Sequence, residues 1–119
     1  MFEARSVSGA LVMALSSMVV SMPAFAAEQP VSVENAIAIA RSNACMGCHA
    51  VDRKLVGPSF QQVAQKYKGD AQANAKLAKK VKDGGAGVWG SIPMPSHPAM
   101  KDGDIKTVVA WVLAGAPQK

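Results

Sequence analysis

The sequence predicts an all-α fold, and three observations carry the prediction. Apolar residues recur at helical i, i+3, i+4 spacing in four separate segments. Glycine and proline punctuate the stretches between them, where a helix has to stop. No run of residues reads as a strand, and there is no internal repeat. With 119 residues, 50% hydrophobic and 18% charged, the chain suits one small domain.

The first helix is expected from about Val33 to Asn43, where Val33, Ala36, Ile37 and Ala40 share a face. Ser32 is its candidate N-cap, and Glu34 suits the positive end of its dipole. Ala50 to Pro58 reads as a loop closed by Gly57-Pro58. Phe60, Val63, Ala64 and Tyr67 mark a short second helix that Gly69 ends. Ala73, Leu77 and Val81 mark a third, with Lys76, Lys79, Lys80 and Lys82 on its outer side. Such a charge run is ordinarily a solvated face, and partner docking is the sharper alternative. Gly84-Gly85-Ala86-Gly87 breaks this helix, and three prolines keep Val88 to Pro98 irregular. The fourth helix is expected from about Asp102, as N-cap, with Asp104 in its first turn. Ile105, Val108, Val109 and Val112 form its apolar stripe, Trp111 adds bulk, and Gly115 and Pro117 stop it. It is expected to pack on the first helix.

Between the first helix and the loop lies Cys45-Met46-Gly47-Cys48-His49, the C-x-x-C-H spacing of c-type haem attachment. On a helical turn residues i and i+3 share a face. Both thiols can then reach the two vinyl groups of one haem as thioethers, and His49 follows where its imidazole can swing under the iron. Gly47 has no side chain to obstruct the porphyrin. Three other readings of the dithiol fit less well. A thioredoxin-like pair sits in a strand–helix setting that is missing here. Tetrahedral zinc needs about four ligands, and only His97 would add to the set. A disulfide at this spacing closes too small a loop to stabilise much.

A haem ligated by His49 has a second axial position to fill. The irregular stretch holds Trp89, Ile92 and Met94, side chains not normally left in water, so it is expected to cover something apolar. Most methionines serve as core filler. Met94, held between Pro93 and Pro95, is instead a stiffly presented thioether and the candidate sixth ligand. Met100 lacks such flanks, and Met46 lies inside the attachment motif.

The first 26 residues read as a secretory signal peptide, which leaves 27–119 as the functional domain. Arg5 precedes an apolar run from Val7 to Val20, and Ala24-Phe25-Ala26 supplies a small-residue cleavage site. The run is shorter than the ~20 residues needed to span a bilayer, so no stable membrane insertion is expected. Export agrees with the motif, because thioether attachment belongs outside the cytosol. The formal net charge is +5, and two haem propionates would remove about two units. Spread lysines and scarce aromatics argue against nucleic acid and for an acidic protein partner.

The residues together resemble the short bacterial class I cytochromes c of the c-five-five-one type. The resemblance runs over nearly the whole mature chain. It takes in Cys45 to His49, Lys54-Leu55-Val56-Gly57-Pro58, Lys82-Asp83-Gly84, Gly87-Val88-Trp89-Gly90, Ile92-Pro93-Met94-Pro95 and Trp111-Val112-Leu113. It implies a cytochrome c-like fold of about four helices wrapped around one covalently bound haem c, with His49 and Met94 as axial ligands. It also implies that the Pro58 carbonyl orients His49, that Trp89 hydrogen-bonds a propionate and that Lys80 lies nearby. One position departs from the pattern. Relatives often carry asparagine three residues after the ligand methionine, where this chain has His97. That ring could donate to the sulfur, reach a propionate or face water.

The function this implies is that of a monomeric periplasmic one-electron carrier, without enzymatic activity, acting by outer-sphere transfer. Its partners would be redox enzymes such as nitrite reductase, a terminal oxidase or cytochrome c peroxidase. The alternative is a peroxidase-like haem enzyme or ligand sensor with an open sixth position. A third reading, a haem-free dithiol protein, is separable by a pyridine haemochrome assay.

Overall fold

A computed structural model describes residues 30–119, so the expected signal peptide lies outside the described residues. Four α-helices form the domain: α1 (Val33–Ser42), α2 (Phe60–Lys66), α3 (Ala73–Asp83) and α4 (Asp102–Leu113). Among the described residues there is no strand, only one isolated antiparallel bridge between Gly85 and Met94. The all-α expectation holds.

Each helix begins for a local reason. Ser32 caps α1, its hydroxyl accepting from the Asn35 amide at 3.3 Å, with Glu34 in the first turn. Ser59 and Gln62 form a reciprocal capping box on α2: the Ser59 hydroxyl accepts from the Gln62 amide, and the Gln62 side chain accepts from the Ser59 amide. At α3 the residue before the helix, Gln72, makes no side-chain cap. Asp70 serves instead, accepting from the Gln72 amide at 2.8 Å and from Lys76 at 2.6 Å. The fourth helix differs from expectation by one residue. Lys101 occupies the extended cap position, and Asp102 is the first helical residue, where with Asp104 it faces the dipole without capping.

The core forms where α4 meets the other three helices. Ala36 and Ala40, one turn apart and fully buried, give α1 a flat face that lets α4 approach closely. From α4, Ile105, Val108, Val109, Trp111 and Val112 are buried against it. Trp111 is 1% exposed, and its indole N–H donates to Pro117 O at 2.8 Å, so the bulkiest core side chain leaves no polar atom stranded. Full burial of such a side chain contributes about 1.5–3 kcal/mol. The same bond folds the tail after Gly115 back over α4.

The attachment motif sits where α1 stops. Asn43 closes that helix, its side-chain amide donating to Ile39 O at 2.9 Å. Ala44 then adopts a left-handed conformation, φ 59, which re-aims the chain. Cys45–Gly47 follows as a single 3₁₀ turn, in which residues i and i+3 eclipse. Cys45 and Cys48 are therefore brought to one side by a tighter turn than the α-helical one expected. Among the described residues no helix is long and apolar enough to cross a membrane.

Candidate haem-binding site

A cavity of about 520 Å³ opens between the helices, within the range of cofactor sites, roughly 300–1,000 Å³. Cys45, Cys48 and His49 line it from the 3₁₀ turn, and Met94 lines it from the irregular loop. Phe60 and Val63 of α2, Leu77 and Val81 of α3, and Val108, Val109 and Val112 of α4 supply apolar lining. Leu55, Val56, Val88, Trp89 and Ile92 line it too, yet remain 41–65% exposed. The loop thus sets its large apolar side chains against the cavity, as expected of a segment that covers something apolar.

His49 is held by three neighbours. Its Nδ1 lies 2.7 Å from Pro58 O. A carbonyl can only accept, so Nδ1 carries the proton and Nε2 keeps a lone pair for a metal. The Phe60 ring stacks on the imidazole, centroids 5.0 Å apart and planes at 21°, and the edge of Trp111 supports Phe60 at 5.3 Å. Gly57 closes the third side: a Cβ there would fall 2.7 Å from His49 Cε1. In the sequence Gly57 marks the end of a loop and Phe60 the apolar face of a helix, and neither by itself points to the imidazole. A glycine before the proline whose carbonyl receives the imidazole was the available signal.

Both thiols are free and half-buried. Burial pushes the Cys45 thiol above its ordinary value, a backbone hydrogen bond opposes that, and neighbouring Cys48 adds to it. Among the described residues no group of three or more His, Cys, Asp or Glu side chains could hold a metal ion, so zinc finds no cage there. The methionines separate clearly. Met94 lines the cavity, whereas Met100 is 6% exposed within the helical core and is not among the lining residues.

Lys80 lines the cavity, and Trp89 carries the Lys66 ammonium 5.4 Å above its ring centroid. The His97 ring is absent from the lining, and its buried Nδ1 has no hydrogen-bond partner, Met94 sulfur included. The lysines of α3 are not an equivalent cluster. Lys76 pairs with Asp70, Lys79 with Asp83 and Lys82 with Asp102, and of the four only Lys80 makes no ion pair among the described residues. Lys54 and Lys66, beside the cavity, are likewise without one among the described residues.

A family model described as cytochrome c matches residues 33–116, which takes in all four helices and the cavity. This chain belongs to the cytochrome c family. Among curated relatives it is 49% identical to cytochrome c-551 of Azotobacter vinelandii over 73 residues, 61% of this chain and 88% of that one. It is 46% identical to cytochrome c-551 of Pseudomonas aeruginosa over 74 residues, 62% and 70% of the respective chains. Among solved structures, cytochrome c552 of Nitrosomonas europaea superposes with a TM-score of 0.64 at 41% identity, covering 66% of this chain and 96% of that one. The cavity fits the family's prosthetic group on its own chemistry: two thiols, an imidazole whose Nε2 is not taken by the Pro58 carbonyl and a thioether line one mostly apolar space. As a cytochrome c, the chain carries one covalently bound haem c at the Cys45, Cys48 and His49 motif, and the family's role is electron carriage.

Proposed function

We propose that this cytochrome c is a periplasmic carrier of single electrons, with the haem held by Cys45 and Cys48 thioethers and by His49 and Met94 as axial ligands. When bound, the haem supplies a one-electron iron couple. One observation carries the ligand assignment. An imidazole with its Nε2 free and the thioether of a proline-flanked methionine reach the same apolar cavity from distant parts of the chain.

Each residue then has a defined task. The Pro58 carbonyl fixes the His49 tautomer, and the Phe60 ring fixes the imidazole plane. Met94 would offer its thioether to the iron, which would leave no place there for a substrate and would raise the potential relative to a second imidazole. Apolar side chains exclude water and disfavour the more highly charged ferric state. Trp89 and Lys80 hold the propionates.

The mouth formed by Leu55, Val56, Val88 and Ile92 is the electron port, with Lys54 and Lys66 beside it as positive charge. Its partners are periplasmic redox enzymes with acidic docking surfaces, of which nitrite reductase, terminal oxidases and cytochrome c peroxidase are the candidates. Encounters of this kind are small, brief and steered by charge. The protein works as a monomer. The long-wavelength iron–thioether band of the oxidised protein tests the assignment: its presence supports the carrier, and its absence supports an open-site haem enzyme or sensor. Periplasmic recovery of haem-loaded protein beginning at Ala27 tests export and cleavage.

A further inference from the structure

We propose that Gly84 is a positioning residue for the Met94 thioether, because the end of α3 and the Met94 backbone meet with no room for a side chain between them. The proposal rests on the reading of Met94 as the sixth ligand. Gly84 closes α3, donating its amide to Lys80 O at 2.8 Å, with φ 69 and ψ −161, a conformation L residues rarely adopt. A Cβ there would overlap Met94 O and lie 2.8 Å from Ser96 N and 2.9 Å from the Pro95 carbonyl carbon. All three are backbone atoms, so no rotamer change relieves the overlap.

The surrounding hydrogen bonds show that this contact is one part of a clamp. Gly85 and Met94 exchange both backbone hydrogen bonds, at 3.0 and 2.9 Å. Three residues later the His97 amide returns to the same helix end, reaching Val81 O and Lys82 O at 3.1 and 3.2 Å. Lys82 then extends its ammonium to Met100 O at 3.1 Å and Asp102 Oδ1 at 3.2 Å. The segment is thus fastened beside the C-terminus of α3 at Met94 itself and again at His97 and Met100. Pro93 and Pro95 make the segment stiff, but the clamp sets where the stiff segment sits. A methyl group at position 84 must drive the backbone of Met94 to Ser96 away from α3. Stiff flanks cannot bend to compensate, so the thioether moves with them.

The test compares haem-loaded Gly84→Ala with Gly69→Ala. Gly69 also has a positive φ, 79, but a Cβ there would meet nothing within 4 Å. It therefore carries the conformational strain without the overlap. Met94→Ala supplies the signature of a lost ligand; if it keeps the wild-type charge-transfer band, the ligand assignment fails independently of the clamp. The expected result is that Gly84→Ala keeps its covalent haem and helix content, loses the band, and binds imidazole at ferric iron about tenfold more tightly or better. Gly69→Ala should keep the band and lose only thermal stability. A wild-type band and wild-type imidazole affinity in Gly84→Ala overturn the proposal. A second measurement covers a variant that does not accumulate. In the wild type, saturating imidazole should accelerate amide exchange at Gly85, Met94 and His97 about tenfold or more, leaving the amide of Tyr67, which caps α2, unchanged. Unaltered protection at those three amides would sink the clamp.

Discussion

Met94 and His97 sit three residues apart and have opposite relations to the cavity. Met94→Ala should leave the haem attached through Cys45, Cys48 and His49 while opening the sixth position. The potential then falls and weak peroxidase activity emerges, because thioether ligation is what raises the potential and closes the iron to peroxide. Potentiometry and a peroxide assay on the purified variant check both. His97 is expected to be silent. Its ring is outside the cavity lining and its amide, not its imidazole, makes the bonds to α3. Midpoint potential plotted against pH should therefore run parallel for the wild type and His97→Asn. Divergence of the two curves would show a charge on that ring reaching the iron.

At the scale of elements, α4 supports the His49 imidazole through Phe60. Trp111 backs Phe60, and Phe60 stacks on His49, so one core contact continues into the site. Trp111→Ala should cost about 3–5 kcal/mol of stability. It should also disorder His49, read as a changed proximal imidazole signal in the paramagnetic NMR spectrum before global unfolding. A spectrum identical to wild type would confine Trp111 to packing. The start of α3 gives a pH prediction. The Lys76 ammonium, and then the Gln72 amide, hold the Asp70 carboxyl below its usual range. An unfolded aspartate titrates near ~3.9. The stabilisation from Asp70 is therefore complete above that pH and is lost as pH falls through the lower folded value. Asp70→Asn should unfold at a lower temperature than wild type at neutral pH, with the difference shrinking below about pH 4. Thermal melts across the acid range measure it.

At the scale of the whole molecule, charge has been sorted. Three of the four α3 lysines are matched by aspartates, and the unmatched lysines beside the cavity are Lys54, Lys66 and Lys80. The bimolecular rate with an acidic partner should fall as salt rises, since the Debye length shrinks to ~8 Å at physiological strength. Lys54→Gln should lower the low-salt rate and flatten its salt dependence more than Lys79→Gln does. Stopped-flow reduction over a salt series decides between them, and equal effects would return docking to the α3 face. The sequence alone presented Lys76, Lys79, Lys80 and Lys82 as one cluster because helical spacing says nothing about Asp102, which lies in the next helix. The same gap hid the role of Gly84, whose neighbours Met94, Pro95 and Ser96 come ten or more residues later.

What the sequence by itself determined about this protein is local. Ser32 starts the first helix, apolar spacing sets the buried faces, and Cys45-x-x-Cys48-His49 names the prosthetic group. Each depends on atoms within about one helical turn, where the chain's own geometry suffices. The proline flanks already favoured Met94 over Met100. Only the tertiary structure decided which lysines are neutralised and what presses on the imidazole. Those outcomes depend on close packing between segments dozens of residues apart, where a shift of one methyl group changes the contact. Composition and periodicity carry no information at that resolution.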